Sequence, residues 1–169
     1  LLDVKKTLGH GTEDYAGRIR AGLEGVHWPG RAQILAQNPT VIIDGAINTL
    51  SATSFVESVR HLLKPPVVTV LAVPTDRDVA GVYGIFAPIS DALVLTTTPR
   101  NITIKFPVED DALKIAREMH ENVSWAENIP AAIDAAIQQA GPEGTVLMAV
   151  AQPAVGDAMA HYGLLHEQI

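Results

Sequence analysis

Several polar side chains stand directly after apolar runs, and their types suit the holding of a small charged ligand. Asp44 and Asn48 follow VII (41–43), Asp76, Arg77 and Asp78 follow VVTVLAV (67–73), and Arg100 and Asn101 follow DALVLTT (91–97). A guanidinium presents a planar fork of N–H donors to a phosphate or carboxylate, and a carboxylate accepts from hydroxyls and amines. Gly45, next to Asp44, lets a backbone or a ligand approach closely. Each carboxylate has a second reading. An Asp at the end of a strand also caps the following helix, where its charge is worth about 0.3–1 kcal/mol. Spacing alone leaves both roles open for Asp44, Asp76 and Asp78, and it leaves Arg77 open to simple solvation.

Other chemistries are excluded more firmly. No GxSxG elbow supports Ser-His-Asp catalysis. The chain has no GxxxxGK[ST], so it cannot build a P-loop, and the lack of GxGxxG weakens a dinucleotide-binding reading. There is no Cys, which removes disulfides, thiol catalysis and Cys-based zinc sites. His10, His27, His61, His120, His161 and His166 are scattered without metal-ligand spacing and are expected at the surface. Trp28, beside Pro29-Gly30, is expected to anchor packing. A phospho-acceptor receiver domain is disfavoured because DALVLTTTP lacks an acceptor Asp and GTVLMAVAQ lacks a Lys.

The elements that must position these residues alternate regularly. Tyr15, Ile19 and Leu23 recur at spacing four and predict a leading amphipathic helix. AQILAQNPTVIIDG reads as two short strands around Asn38-Pro39, a hairpin. Then follow strand 40–44, helix 51–63 capped by Ser51 or Thr49, strand 67–73 and a short helix near 79–87. Strand 91–97, helix 108–120, strand 123–127, helix 129–140, strand 144–150 and helix 155–165 complete the chain. Near-continuous Val/Ile/Leu strands alternating with helices predict a mostly parallel sheet covered on both faces. The expected fold is a three-layer α/β sandwich with a Rossmann-like sheet, a leading helix and an edge hairpin. In such sheets ligands bind beyond the carboxyl ends of the strands, where the three polar loops would meet.

Length and charge agree. The 169 residues suit one domain with a short extension, divided here into a leading helix or linker at 1–27 and an α/β domain at 28–169. The composition, 47% hydrophobic and 18% charged, is that of an ordinary soluble protein, and no apolar run reaches the roughly 18–20 residues of a membrane helix. A net charge of −7 argues against a nucleic-acid groove but leaves room for a small anion, which needs only one or two cations. With no Cys and no signal-peptide pattern, the cytoplasm is the default compartment. The chain opens LLDVKK without an initiator Met, as expected of a fragment.

WPGRAQIL (28–35), VIIDGAINTLSA (41–52) and TDRDVAG (75–81), in this order and spacing, resemble folylpolyglutamate synthase/dihydrofolate synthase. The likeness is to the C-terminal domain of that family, itself part of the Mur ligase superfamily, and covers about residues 18–163. The family patterns are WPGRLQ, DGAHNPHSA, a DKD loop and a late TGSLYLVGEA, which corresponds to AVAQPAVGDA (149–158). The resemblance implies an ATP-dependent amide ligase that phosphorylates a folate or pteroate carboxylate and joins it to the amine of glutamate. ATP and magnesium would be held mainly by a P-loop domain absent from this chain, and this domain would close over them. It implies no catalytic residue and no metal ligand within these residues. Arg31 would reach ATP phosphates, Asp44 would face the ribose or adenine, and Asn48 would support that loop. Asp76, Arg77, Asp78 and Arg100 would serve the amino-acid side, with Arg77 where the family has Lys. The family's His is Ile47 here, Gly-Ser is Val150-Ala151, the Pro after Asn is Thr49, and Tyr is Pro153. The losses of hydrogen-bonding capacity at Ile47, Ala151 and Pro153 imply an alternative: a degenerate, non-catalytic module that binds a ligand or a protein.

Overall fold

The computed structural model describes residues 15–26 and 28–164. The N-terminal LLDVKK stretch, His10, His27 and His166 therefore lie outside the described residues.

Six strands form one sheet: β1 (Gln33–Ala36), β2 (Thr40–Asp44), β3 (Val67–Ala72), β4 (Ala92–Leu95), β5 (Val123–Trp125) and β6 (Thr145–Val150). Their order is β1-β2-β6-β3-β4-β5. Only β1 runs antiparallel, pairing with β2 as the expected edge hairpin. The turn passes through Asn38, which takes φ of +69°, a conformation that Asn tolerates better than most residues. The last strand in sequence, β6, inserts between β2 and β3.

Side-chain alternation explains the layers. Ile42, Leu71, Leu93, Leu95 and Leu147 face one way and pack with Phe55, Val59, Val82, Phe86 and Ala116. Those partners come from α2 (Thr49–Val59), α3 (Val79–Phe86) and α4 (Glu109–Arg117). Val41, Ile43, Val68, Val70, Val94 and Met148 face the other way, against Ile129, Ile133, Ala136, Val155 and Ala158. These belong to α5 (Ile129–Ala140) and α6 (Gln152–His161). A strand buried on both faces favours apolar residues throughout, which is why β3 and β6 read as near-continuous apolar runs. The buried exceptions, Thr69 and Thr145, have hydroxyls paired with Ser90 Oγ at 2.6 Å and Lys64 O at 3.1 Å. The leading helix α1 (Tyr15–Glu24) forms where the spacing predicts it, but Ile19 and Leu23 on it remain exposed.

Two helix starts differ from expectation. Neither Ser51 nor Thr49 caps α2. Asn48 does: its Oδ1 accepts from Ser51 N–H at 2.9 Å, and Ser51 Oγ reciprocates toward Asn48 N–H in a capping box. The α-helix ends at Val59 and tightens into a 3₁₀ turn, Arg60–Leu62. The closing helix begins at Gln152 rather than 155, because Pro153 sits in its first turn, where its missing N–H costs nothing. Asn48→Ala should therefore lower stability by about 1 kcal/mol. Thermal melting would register this as a drop of about 2–4 °C, and an unchanged midpoint would show that the cap is idle.

Candidate functional site

The carboxyl end of β2 carries the site. Asp44 is the last strand residue, and its side chain is only 13% exposed. Its Oδ2 accepts from the Ala32 N–H at 2.8 Å, and its Oδ1 lies 3.5 Å from Arg31 Nη1. Asp44 is thus not the cap of α2; that role belongs to Asn48, which leaves the carboxylate committed to the WPGR loop. The Gly45 N–H also donates to Gly30 O, at 3.0 Å, stitching the two loops together. Gly45 does permit a close approach, but the approaching group is Arg31: a Cβ there would stand 2.7 Å from Nη1. The same imagined Cβ would be 3.5 Å from Gln152 Oε1, which brings the first turn of α6 to this point. Insertion of β6 beside β2 makes that possible.

Burial raises the Asp44 carboxyl above its ordinary value of 3.8, outweighing the Ala32 N–H and the Arg31 guanidinium, which both pull it down. The folded protein then holds this proton more tightly than the unfolded chain does. Stability declines as pH rises from the unfolded value through the folded one, and the cost of the ionised group is complete above it. Asp44→Asn should accordingly gain stability relative to the wild type as pH rises through that window. Urea denaturation at a series of pH values from about 4 to about 7 would test it; a difference independent of pH would contradict it.

Beside Asp44 opens a cleft of about 570 Å³ lined by Asp44, Asn48, Ser51, Ser54, Phe55 and Ser58. Serines 51, 54 and 58 lie on one face of α2 by their spacing. The TDRD loop adjoins the same helix start: Thr49 Cγ2 would be 2.8 Å from a Cβ on Gly81. Asp78 caps α3, its Oδ1 accepting from Gly81 N–H at 2.9 Å. Asp76 and Arg77 form an exposed pair 3.6 Å apart. Arg100 makes its ion pair elsewhere, with Asp157 of α6 at 2.6 Å. Asn101 shapes its own turn, its Oδ1 accepting from Thr103 N–H at 3.0 Å. So Arg31, Asp44 and Asn48 come together, Asp78 neighbours them, and Arg100 anchors a separate cluster.

Some expectations fail. Trp28 is 68% exposed and anchors no packing. His120 is not a free surface group; its Nε2 lies 2.9 Å from Ser90 O, tying α4 to the turn before β4. Val150 and Ala151 are fully buried at the strand end, and Ile47 is partly so. Asp157, Thr98 and Gln152 were not foreseen as contributors. Among the described residues no group of three or more His, Asp or Glu could hold a metal ion, and no helix is long and apolar enough to cross a membrane.

The sequence profile of the Mur ligase, glutamate ligase domain family matches residues 30–151, a span running from the WPGR loop to the end of β6. The chain belongs to this family. As a member of it, the chain is 33% identical over 154 residues to the dihydrofolate synthase/folylpolyglutamate synthase of Mycobacterium tuberculosis. That alignment takes in 87% of this chain and 29% of the relative, so the chain spans under a third of that protein's length. Among solved structures, the Mycobacterium tuberculosis folylpolyglutamate synthase complexed with ADP superposes with a TM-score of 0.78 at 27% identity, covering 95% of this chain and 37% of that one. E. coli FolC in complex with DHPP and ADP gives a TM-score of 0.73 at 26% identity, covering 89% and 35%. The α/β sandwich is therefore the fold of the Mur ligase C-terminal domain.

Proposed function

We propose that this glutamate ligase domain is the C-terminal part of an ATP-dependent amide ligase of the folylpolyglutamate/dihydrofolate synthase type. The observation that carries the proposal is the convergence of Arg31 and Asp44, at 3.5 Å, on the strand end where this fold takes ligands. Arg31 is half exposed, so its fork is available to phosphate oxygens. Asp44, with one edge toward the cleft, suits a ribose hydroxyl or an adenine amine, and Asn48 holds the loop beside it by capping α2. Asp76, Arg77 and Arg100 would serve the incoming amino acid, and Asp78 would hold the TDRD loop through its cap. Relatives bound to ADP support a nucleotide here.

In the reaction proposed, the acid substrate, a pterin or folate carboxylate, is phosphorylated by ATP, and the amine of glutamate displaces phosphate. The contribution of this domain is to orient and to exclude water, since positioning is the larger part of such catalysis. Magnesium and the phosphate-cradling loop would belong to a P-loop domain outside these residues, in a cytoplasmic protein. Phosphate release by the full-length product, with dihydropteroate or tetrahydrofolate plus glutamate, tests the proposal, with the 169-residue chain as blank. Turnover requiring both pterin and glutamate is the expected result. A folded protein that binds ATP without turnover would favour a degenerate binding module. Burial of Val150 and Ala151, which puts no hydroxyl at the end of β6, is the observation on that side.

A further inference from the structure

Arg100 is held before any ligand arrives. Its Nε donates to Asp157 Oδ1 at 2.6 Å. The other Asp157 oxygen accepts from the Thr98 hydroxyl, and Thr98 Oγ1 accepts from the Arg100 backbone N–H at 3.2 Å. Three residues thus close a ring that ties the loop after β4 to the second turn of α6. The arginine stem also runs along the backbone of Gly156, where a Cβ would lie 3.7 Å from both Cδ and Nε. Thr98 is buried and the Asp157 side chain is 20% exposed, while the Arg100 side chain is 49% exposed. With Nε committed, both Nη nitrogens are without a hydrogen bond to any described residue.

We propose that Asp157 is a positioning residue: it holds Arg100 by Nε so that the open Nη edge receives the carboxylate of the incoming amino acid. The inference rests on the ligase reading above and gives a role to Asp157, a residue of the late AVAQPAVGDA stretch to which the resemblance assigned none. Arginine has many rotamers, and fixing one beforehand removes an ordering cost that substrate binding would otherwise carry. Pairing through Nε leaves the two Nη nitrogens as a planar cationic fork that matches the two oxygens of one carboxylate. Thr98 fixes the second carboxylate oxygen, so Asp157 cannot rotate away when Arg100 is loaded.

The test uses the full-length protein and four variants: Asp157→Asn, Asp157→Glu, Arg100→Lys and the double variant Arg100→Lys/Asp157→Asn. Asp157→Asn should raise KM for glutamate roughly tenfold, leaving KM for ATP and the thermal midpoint in place. Asp157→Glu should restore much of that loss. Arg100→Lys should raise the same KM, and the double variant should be no worse than Arg100→Lys alone, because the two residues act in series. A ¹⁵N spectrum gives a readout independent of turnover: the Arg100 Nε–H signal should be protected in the wild type and lose protection in Asp157→Asn. A raised glutamate KM in Arg100→Lys with none in Asp157→Asn overturns the positioning role while sparing the ligase reading. A shift in KM for ATP instead of glutamate overturns the carboxylate and assigns the fork to phosphate. Turnover lost in every protein, wild type included, removes the ligase reading; an unprotected Nε–H in the wild type removes the inference itself.

Discussion

Asp44→Ala should lower kcat/KM for ATP in the full-length ligase by about 100-fold while leaving the domain about as stable as before at neutral pH. The separation of the two effects follows from what Asp44 does. One oxygen holds the Ala32 N–H at 2.8 Å and the other faces Arg31. Ala32 has φ of +43°, a conformation an L residue adopts at a cost, so the loop that aims Arg31 is held partly by this contact. Without the carboxylate, Arg31 loses the ion pair that directs it and the ligand loses both groups at once. Stability answers to a different balance. Burial raises the carboxyl's pKa, so the ionised group costs folding free energy, and its removal offsets the lost hydrogen bond. Steady-state kinetics in ATP together with urea denaturation of the same variant would check both halves. Wild-type kcat/KM in Asp44→Ala would remove Asp44 from the site, and a large loss of stability would make its role structural.

Gly144→Ala should be the most damaging single methyl in the domain, costing upwards of about 3 kcal/mol of a total of about 5–15 kcal/mol. A Cβ there would collide with the Ala140 carbonyl oxygen and stand 2.6 Å from Pro66 O. Both are backbone atoms, so no side chain can swing aside. The residue also sits where the central strand is stitched in: Thr40 N–H donates to Gly144 O at 3.2 Å, and Thr145 N–H donates to Pro66 O at 2.9 Å. Relief of the clash must therefore shift the start of β6 against both β2 and β3. Overpacking of this kind ordinarily costs about 1–3 kcal/mol when side chains can yield; here they cannot. Chemical denaturation of the 169-residue chain measures it directly, and a loss under about 1 kcal/mol would show that the α5–β6 turn is softer than its geometry implies.

The strand-and-helix alternation was legible because burial on both faces favours near-continuous apolar strands such as VVTVLA and TVLMAV, and helices show themselves by spacing. Helix boundaries were less so. The start of α2 turned on which of Asn48, Thr49 and Ser51 accepts a first-turn N–H with its side-chain oxygen, and all three are competent by type. Trp28 misled for a related reason: an aromatic next to Pro-Gly is apolar enough to be buried, but nothing local says whether another surface covers it.

By itself the sequence determined the fold class, the family, and the chemical kinds of group at the strand ends: a carboxylate after VII, an acidic-basic triplet after VLAVP, an arginine after TTTP. These are properties of local composition and period, carried by residues within a few positions of one another. Only the tertiary structure decided which of them meet. Asp44 reaches Arg31 across a hairpin, and Arg100 reaches Asp157 across 57 residues. The first follows from the register of β1 against β2, whereas the second depends on β6 threading between β2 and β3, which sets α6 beside the loop after β4. That choice is made by whole faces of the sheet burying their apolar side chains together, and no stretch of chain encodes it alone.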